Sequence, residues 1–144
     1  MTVYLDTSSA IKLYVAEAGS DDVNELVRGA AVVATSAVTY AEARAALARL
    51  RREGALSAAR LKSVRRELDD QWPSFVSIVA TNALCRAAGD LAERYSLRGF
   101  DSIHLASFAE VARRAGPQQT QFSSFDDQLN DAAGKLARLL RRRR

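Results

Sequence analysis

Four short apolar runs, most of them followed by a stretch of helical spacing, constrain the fold of this chain more than any other feature. Residues 2–5 read as a buried strand that ends at Asp6, residues 31–35 and 75–79 as two more strands, and residues 120–123 as a polar fourth. Helical spacing fills 10–17, 21–28, 36–52, 57–70, 81–95 and 101–114, with Ser8 as the N-cap candidate of the first helix. Gly54, the Trp72-Pro73 pair and the Gly116-Pro117 pair mark stops. Alternating strands and helices predict an α/β fold with a mostly parallel sheet, covered by helices on both faces. After the fourth strand, Asp126 opens a short helix, Gly134 ends it, and residues 136–140 read as a last edge strand.

A chain of 144 residues with 48% apolar and 26% charged side chains suits one domain with a substantial core, and excludes disordered and collagen-like classes. No apolar run approaches the roughly 20 residues that span a bilayer. The single cysteine, Cys85, forms no internal disulfide and reads as a small core residue. With no basic-then-apolar leader pattern, the expected location is the cytoplasm, away from membranes. Four of the 21 Lys and Arg residues form the run 141–144, and the remaining 17 match the 17 Asp and Glu. The expected organisation is therefore a neutral domain over 1–140 with a basic tail at 141–144. Basic residues from Arg44 to Arg66 on two predicted helices suggest a partner-binding surface.

Four acids stand out. Asp6 directly follows a buried strand, where a carboxylate is costly unless satisfied. Asp101 and Asp126 open helices, and plain N-capping is their competing reading. Glu42 lies in a small, apolar helix, where its neighbours three and four residues away (Val38, Thr39, Ala45 and Ala46) include no base. In open α/β sheets the carboxyl ends of the strands form the ligand crevice. Four carboxylates gathered there repel one another unless a cation intervenes. Oxygen donors without His or Cys suit Mg²⁺ or Mn²⁺, ions that assist phosphodiester hydrolysis. His104 shares a helix face with Asp101 and reads as a packed or hydrogen-bonded side chain rather than a general base.

The motifs resemble those of PIN-domain ribonucleases. Val3-Tyr4-Leu5-Asp6-Thr7-Ser8 is similar to the first motif, and Ser36-Ala37-Val38-Thr39-Tyr40-Ala41-Glu42 to the second. The stretch from Leu97 to Ala106, with Gly99-Phe100-Asp101 inside it, resembles the third, and Phe122-Ser123-Ser124-Phe125-Asp126-Asp127-Gln128-Leu129 the fourth. The length looks like that of VapC toxins from toxin–antitoxin pairs. The resemblance implies a Rossmann-like α/β/α sandwich and a Mg²⁺- or Mn²⁺-dependent endoribonuclease, in which metal-activated water hydrolyses RNA. It implies that Asp6, Glu42, Asp101 and Asp126 are the catalytic and metal-binding acids, with Asp127 as the alternative fourth. Thr7 and Ser124 become hydroxyls that orient those ligands. A VapB-like antitoxin, an RNA substrate and a homodimer are the implied partners. Two other readings stay open: a catalytically inactive binding module, and an aspartyl-phosphate phosphatase built on Asp6. The second lacks the usual Asp two residues on, where Ser8 stands.

Overall fold

A computed structural model describes residues 1–143. The chain runs β1 (Thr2–Leu5), α1 (Thr7–Ala10), a 3₁₀ turn (Ile11–Leu13), α2 (Ser20–Arg28), β2 (Val32–Ser36), α3 (Val38–Arg52), α4 (Ala58–Gln71) and a second 3₁₀ turn (Trp72–Ser74). It continues through β3 (Val76–Ile78), α5 (Asn82–Tyr95), α6 (Gly99–Ala115), β4 (Thr120–Ser123) and α7 (Asp127–Arg142). The four strands form one parallel sheet in the order β3-β2-β1-β4. Thr2 of β1 lies opposite Val32 on one side and Thr120 on the other. Strand order therefore reverses at β1, whose carboxyl end carries Asp6.

Alternation along β1 divides the core. Tyr4 points to a layer of α6 and α7, where it packs with Leu105, Phe108, Leu129 and Leu136. Val3 and Leu5 point to the opposite face and meet Ala10 and Val23. The α3–α4 hairpin builds its own cluster from Ala43, Leu47, Val64 and Leu68, closed by Tyr14. Helices thus cover both faces, and the architecture is the expected α/β sandwich. Among the described residues no helix is long and apolar enough to cross a membrane.

Several local expectations are corrected. Among the described residues no fifth strand follows β4: α7 passes through Gly134 without a break, and residues 136–140 are helical. Leu129, Ala132, Ala133, Leu136 and Leu140 all fall on its buried face. Burial along that stripe outweighs the roughly 1 kcal/mol penalty of a mid-helix glycine. Asp6, not Ser8, caps the first helix, which gives way to a 3₁₀ turn after Ala10 instead of running to residue 17. Helix α6 starts at Gly99, so Asp101 sits in its first turn and is not its cap. Cys85 is exposed on α5, whose one buried residue among those described is Ala88. The basic run begins inside α7: Arg141 and Arg142 are helical, and Arg141 Nε donates to the Pro117 carbonyl at 3.4 Å. Arg144 lies outside the described residues.

Candidate active site

Leu5 ends β1, and the chain turns at Asp6 with extended φ and ψ to start α1. Asp6 is buried, with 4% of its surface exposed, and hydrogen-bond donors compensate that burial. Its Oδ1 accepts from the Ser9 backbone N–H at 3.0 Å and from Ser8 Oγ at 2.7 Å. Its Oδ2 accepts from Ser124 Oγ at 2.5 Å. Three donors on one carboxylate fix its plane.

Glu42 reaches the same end of the sheet from α3. The β2–α3 junction is tied down by Thr35, whose hydroxyl donates to the Leu5 carbonyl at 2.7 Å and lies 2.8 Å from Thr39 Oγ1. Thr7 Oγ1 donates to Glu42 Oε1 at 2.6 Å, and His104 Nε2 lies 2.8 Å from the same oxygen. Because an ionised carboxylate only accepts, Nε2 carries the proton. The other ring nitrogen, Nδ1, is 2.9 Å from the Tyr4 hydroxyl. Burial pushes the Tyr4 phenol well above its ordinary pKa, so it stays protonated and donates to Nδ1. For Glu42 itself, burial pushes the pKa up, but the His104 and Thr7 hydrogen bonds outweigh it, leaving the carboxyl below its usual range.

Asp101 and Asp126 close the arrangement. Burial of Asp101 pushes its pKa up; Arg98 pulls it down and Asp126 pushes it up again, with a net rise. Arg98 Nε is 3.4 Å from Asp101 Oδ2. Asp126 caps α7, its Oδ1 accepting from the Leu129 N–H at 2.8 Å, so the capping reading holds for this acid. Its own N–H donates to Ser124 Oγ at 3.0 Å. Asp127, the alternative fourth acid, is exposed as the first helical residue of α7.

Ser124 Oγ donates to Asp6 and accepts from the Asp126 backbone N–H, the charge of Asp126 acts on Asp101, and Glu42 is held by His104 and by Thr7, the residue after Asp6. Sequence reasoning gave Ser8 a capping role; its hydroxyl instead supports Asp6 and accepts from the Phe125 N–H at 2.9 Å. His104 is hydrogen-bonded, as expected, but its tie to Glu42 was not foreseen. The signal available was the three-residue spacing from Asp101, which places His104 on the site-facing side of α6.

The donor set is compatible with a hard cation. Among the described residues no three His, Cys, Asp or Glu side chains form a ready-made ion cage. Mg²⁺ seldom uses one: it takes one or two carboxylates and keeps water or substrate phosphate in its other positions. Burial first, and then the Asp126 charge, raise the Asp101 carboxyl, and a cation would favour its ionised form.

A parallel α/β sandwich with carboxylates outside the strand ends, where strand order reverses, defines a class of proteins that bind ligands in that crevice. Within that class the chain belongs to the PIN domain family, whose profile matches residues 3–135. It is similar to Ribonuclease VapC45 and Ribonuclease VapC49, both of Mycobacterium tuberculosis. Each is 36% identical over 109 residues, covering 76% of this chain and 76% of the relative. The fold is also that of the crystal structure of VapC20, a sarcin–ricin-loop-cleaving toxin of Mycobacterium tuberculosis. The TM-score is 0.65 at 20% identity, with 90% of this chain and 94% of that one covered.

Proposed function

We propose that this chain is a VapC-type toxin, an endoribonuclease that hydrolyses RNA phosphodiester bonds with the help of Mg²⁺ or Mn²⁺. The observation that carries the reading is the pair of hydrogen-bonded acids Asp6 and Glu42 at the carboxyl end of β1, with Asp101 and Asp126 acting on one another, in a chain whose relatives are named ribonucleases. Asp6, Glu42, Asp101 and Asp126 would hold the ion, which when bound polarises a phosphate and lowers the pKa of water. Ser8 and Ser124 fix the Asp6 carboxylate, while Thr7 and His104 fix Glu42. Asp126 combines capping of α7 with a place in the acidic set. In this reading the enzyme works in the cytoplasm as a homodimer and is restrained by a VapB-like antitoxin.

The test is Asp6→Asn. Asparagine keeps the volume and one carbonyl oxygen for Ser9 N–H, so the fold is retained. Cleavage of RNA by the purified wild type in Mg²⁺, its loss in EDTA and its loss in Asp6→Asn are the expected results. Retained cleavage in Asp6→Asn overturns the assignment.

A further inference from the structure

Charge is not spread evenly over this chain. Residues 44–71, most of the α3–α4 hairpin, carry eight Lys and Arg against four Asp and Glu, while the rest of residues 1–140 carries nine against thirteen. The hairpin is therefore the positive pole of an otherwise negative body.

The hairpin also sorts its cations by side. Arg49 pairs with Glu53, and Arg60 with Glu67. The Tyr40 hydroxyl donates to Asp69 Oδ1 at 2.6 Å and so marks one side of the helix pair. Helical spacing puts Arg44 and Arg51 on the Tyr40 side of α3, and Lys62, Arg65 and Arg66 on the Asp69 side of α4. Arg44 Nη1 donates to the Tyr40 hydroxyl at 2.7 Å, in keeping with that register. Arg51, Lys62, Arg65 and Arg66 are exposed and join no ion pair among the described residues. Lys62 stands three and four residues before Arg65 and Arg66, and like charges at that spacing destabilise a helix. Nearby acids do not relieve the repulsion. Asp69 is engaged by Tyr40 and Glu67 by Arg60, and Asp70 makes no ion pair among the described residues.

An anion is the missing partner, and what the side lacks decides its class. Protein interfaces centre on apolar anchors and keep charge to the rim. Among the described residues, none of the exposed large hydrophobic side chains lies between Val38 and Gln71. Three guanidinium forks and an ammonium with no apolar centre suit phosphates instead.

We propose that Arg51, Lys62, Arg65 and Arg66 form a phosphate-contacting arm that holds RNA away from the cleaved bond. The inference rests on the ribonuclease reading and deepens it. Glu42 and Arg51 are nine residues apart on α3, which is two and a half turns and about 13–14 Å. They therefore lie on opposite sides of that helix, and RNA in the acidic crevice reaches the arm over the exposed Ala41 and Ala45. Such an arm adds affinity and leaves the chemical step alone.

The experiment compares the triple variant Lys62→Gln, Arg65→Gln, Arg66→Gln with a control triple, Arg28→Gln, Arg86→Gln, Arg94→Gln. The control removes the same charge from exposed positions outside the hairpin. Binding of a fluorescently labelled RNA of about 30 nucleotides is measured in EDTA over a salt series. Each phosphate contact contributes about 0.7–0.9 to the slope of log affinity on log salt, so the hairpin triple should lose about 2–3 units of slope. Between 50 and 200 mM salt the wild type should then weaken roughly twenty- to fortyfold more than the hairpin triple, and the control should follow the wild type. In Mg²⁺ the hairpin triple should raise KM and keep kcat. Circular dichroism checks that both triples stay folded. Equal loss of slope in the two triples, no loss in the hairpin triple, or a fall in kcat at unchanged KM overturns the arm. Poly-glutamate that binds the wild type as tightly as the RNA, with the same loss in the hairpin triple, assigns the side to an acidic protein and also overturns it. Wild type that binds RNA through the arm but never cleaves sinks the ribonuclease reading alone. Wild type that cleaves while the hairpin triple matches the control sinks the arm alone. Wild type that binds no RNA overturns the arm outright.

Discussion

Removing one oxygen from the core reports directly on how Glu42 is held. Tyr4 is fully buried; its ring stacks on Phe122 at 5.6 Å and meets Phe108 edge-on at 6.2 Å. Tyr4→Phe keeps those contacts and deletes only the hydroxyl that donates to His104 Nδ1. His104 is itself 2% exposed, so no bulk water replaces the lost donor. A buried acceptor left without its partner costs about 1–3 kcal/mol. For a chain of this size each kcal/mol moves the melting temperature by about 2–4 °C, so the expected fall is about 2–12 °C. Thermal unfolding by circular dichroism reads the fall, and the His104 ring nitrogen shifts in NMR read the change in hydrogen bonding. A melting temperature within about 1 °C of wild type, with unchanged nitrogen shifts, refutes the Tyr4–His104–Glu42 chain.

Three further outcomes follow from other parts of the structure. Gly134→Ala should stabilise the protein by about 0.5–1 kcal/mol, because Gly134 lies mid-helix and an added Cβ meets only Arg138 Nη1 at 3.7 Å; destabilisation would restore a helix end at Gly134. Leu47→Ala, at a fully buried position in the α3–α4 cluster, should lower stability by about 2–5 kcal/mol in urea unfolding. Glu42 has a lowered pKa in the folded state, so it contributes stability above the ordinary glutamate range and loses that contribution as pH falls through its lowered value. Glu42→Gln should therefore flatten the decline of melting temperature below about pH 5, and an unchanged acid limb counts against it.

The strands were legible because each is a compact apolar run, and the site acids because carboxylates near strand ends and helix starts need a reason. What was not legible shares a physical cause: the deciding contacts are distant in sequence. Residues 136–140, as Leu-Ala-Arg-Leu-Leu, fit a short strand and a helix equally well, and only burial against β1 and α6 selects the helix. Asp6 and Ser8 are both good cap residues; Asp6 takes the role because Ser8 turns toward its carboxylate. The role of His104 depends on Tyr4, 100 residues earlier, and on Glu42, 62 residues earlier. Exposure of Phe100 and Phe125 has no sequence signature either, since Phe is more often buried.

The central proposal is that carboxylates at the carboxyl end of β1 hold a hard cation. Calorimetric titration of Mn²⁺ into the purified protein tests it most directly. The expected result is saturable binding to the wild type, weakened about tenfold or more in Asp101→Asn, which removes the carboxyl that burial and the Asp126 charge push up. Equal binding by both proteins, or no binding by either, contradicts it.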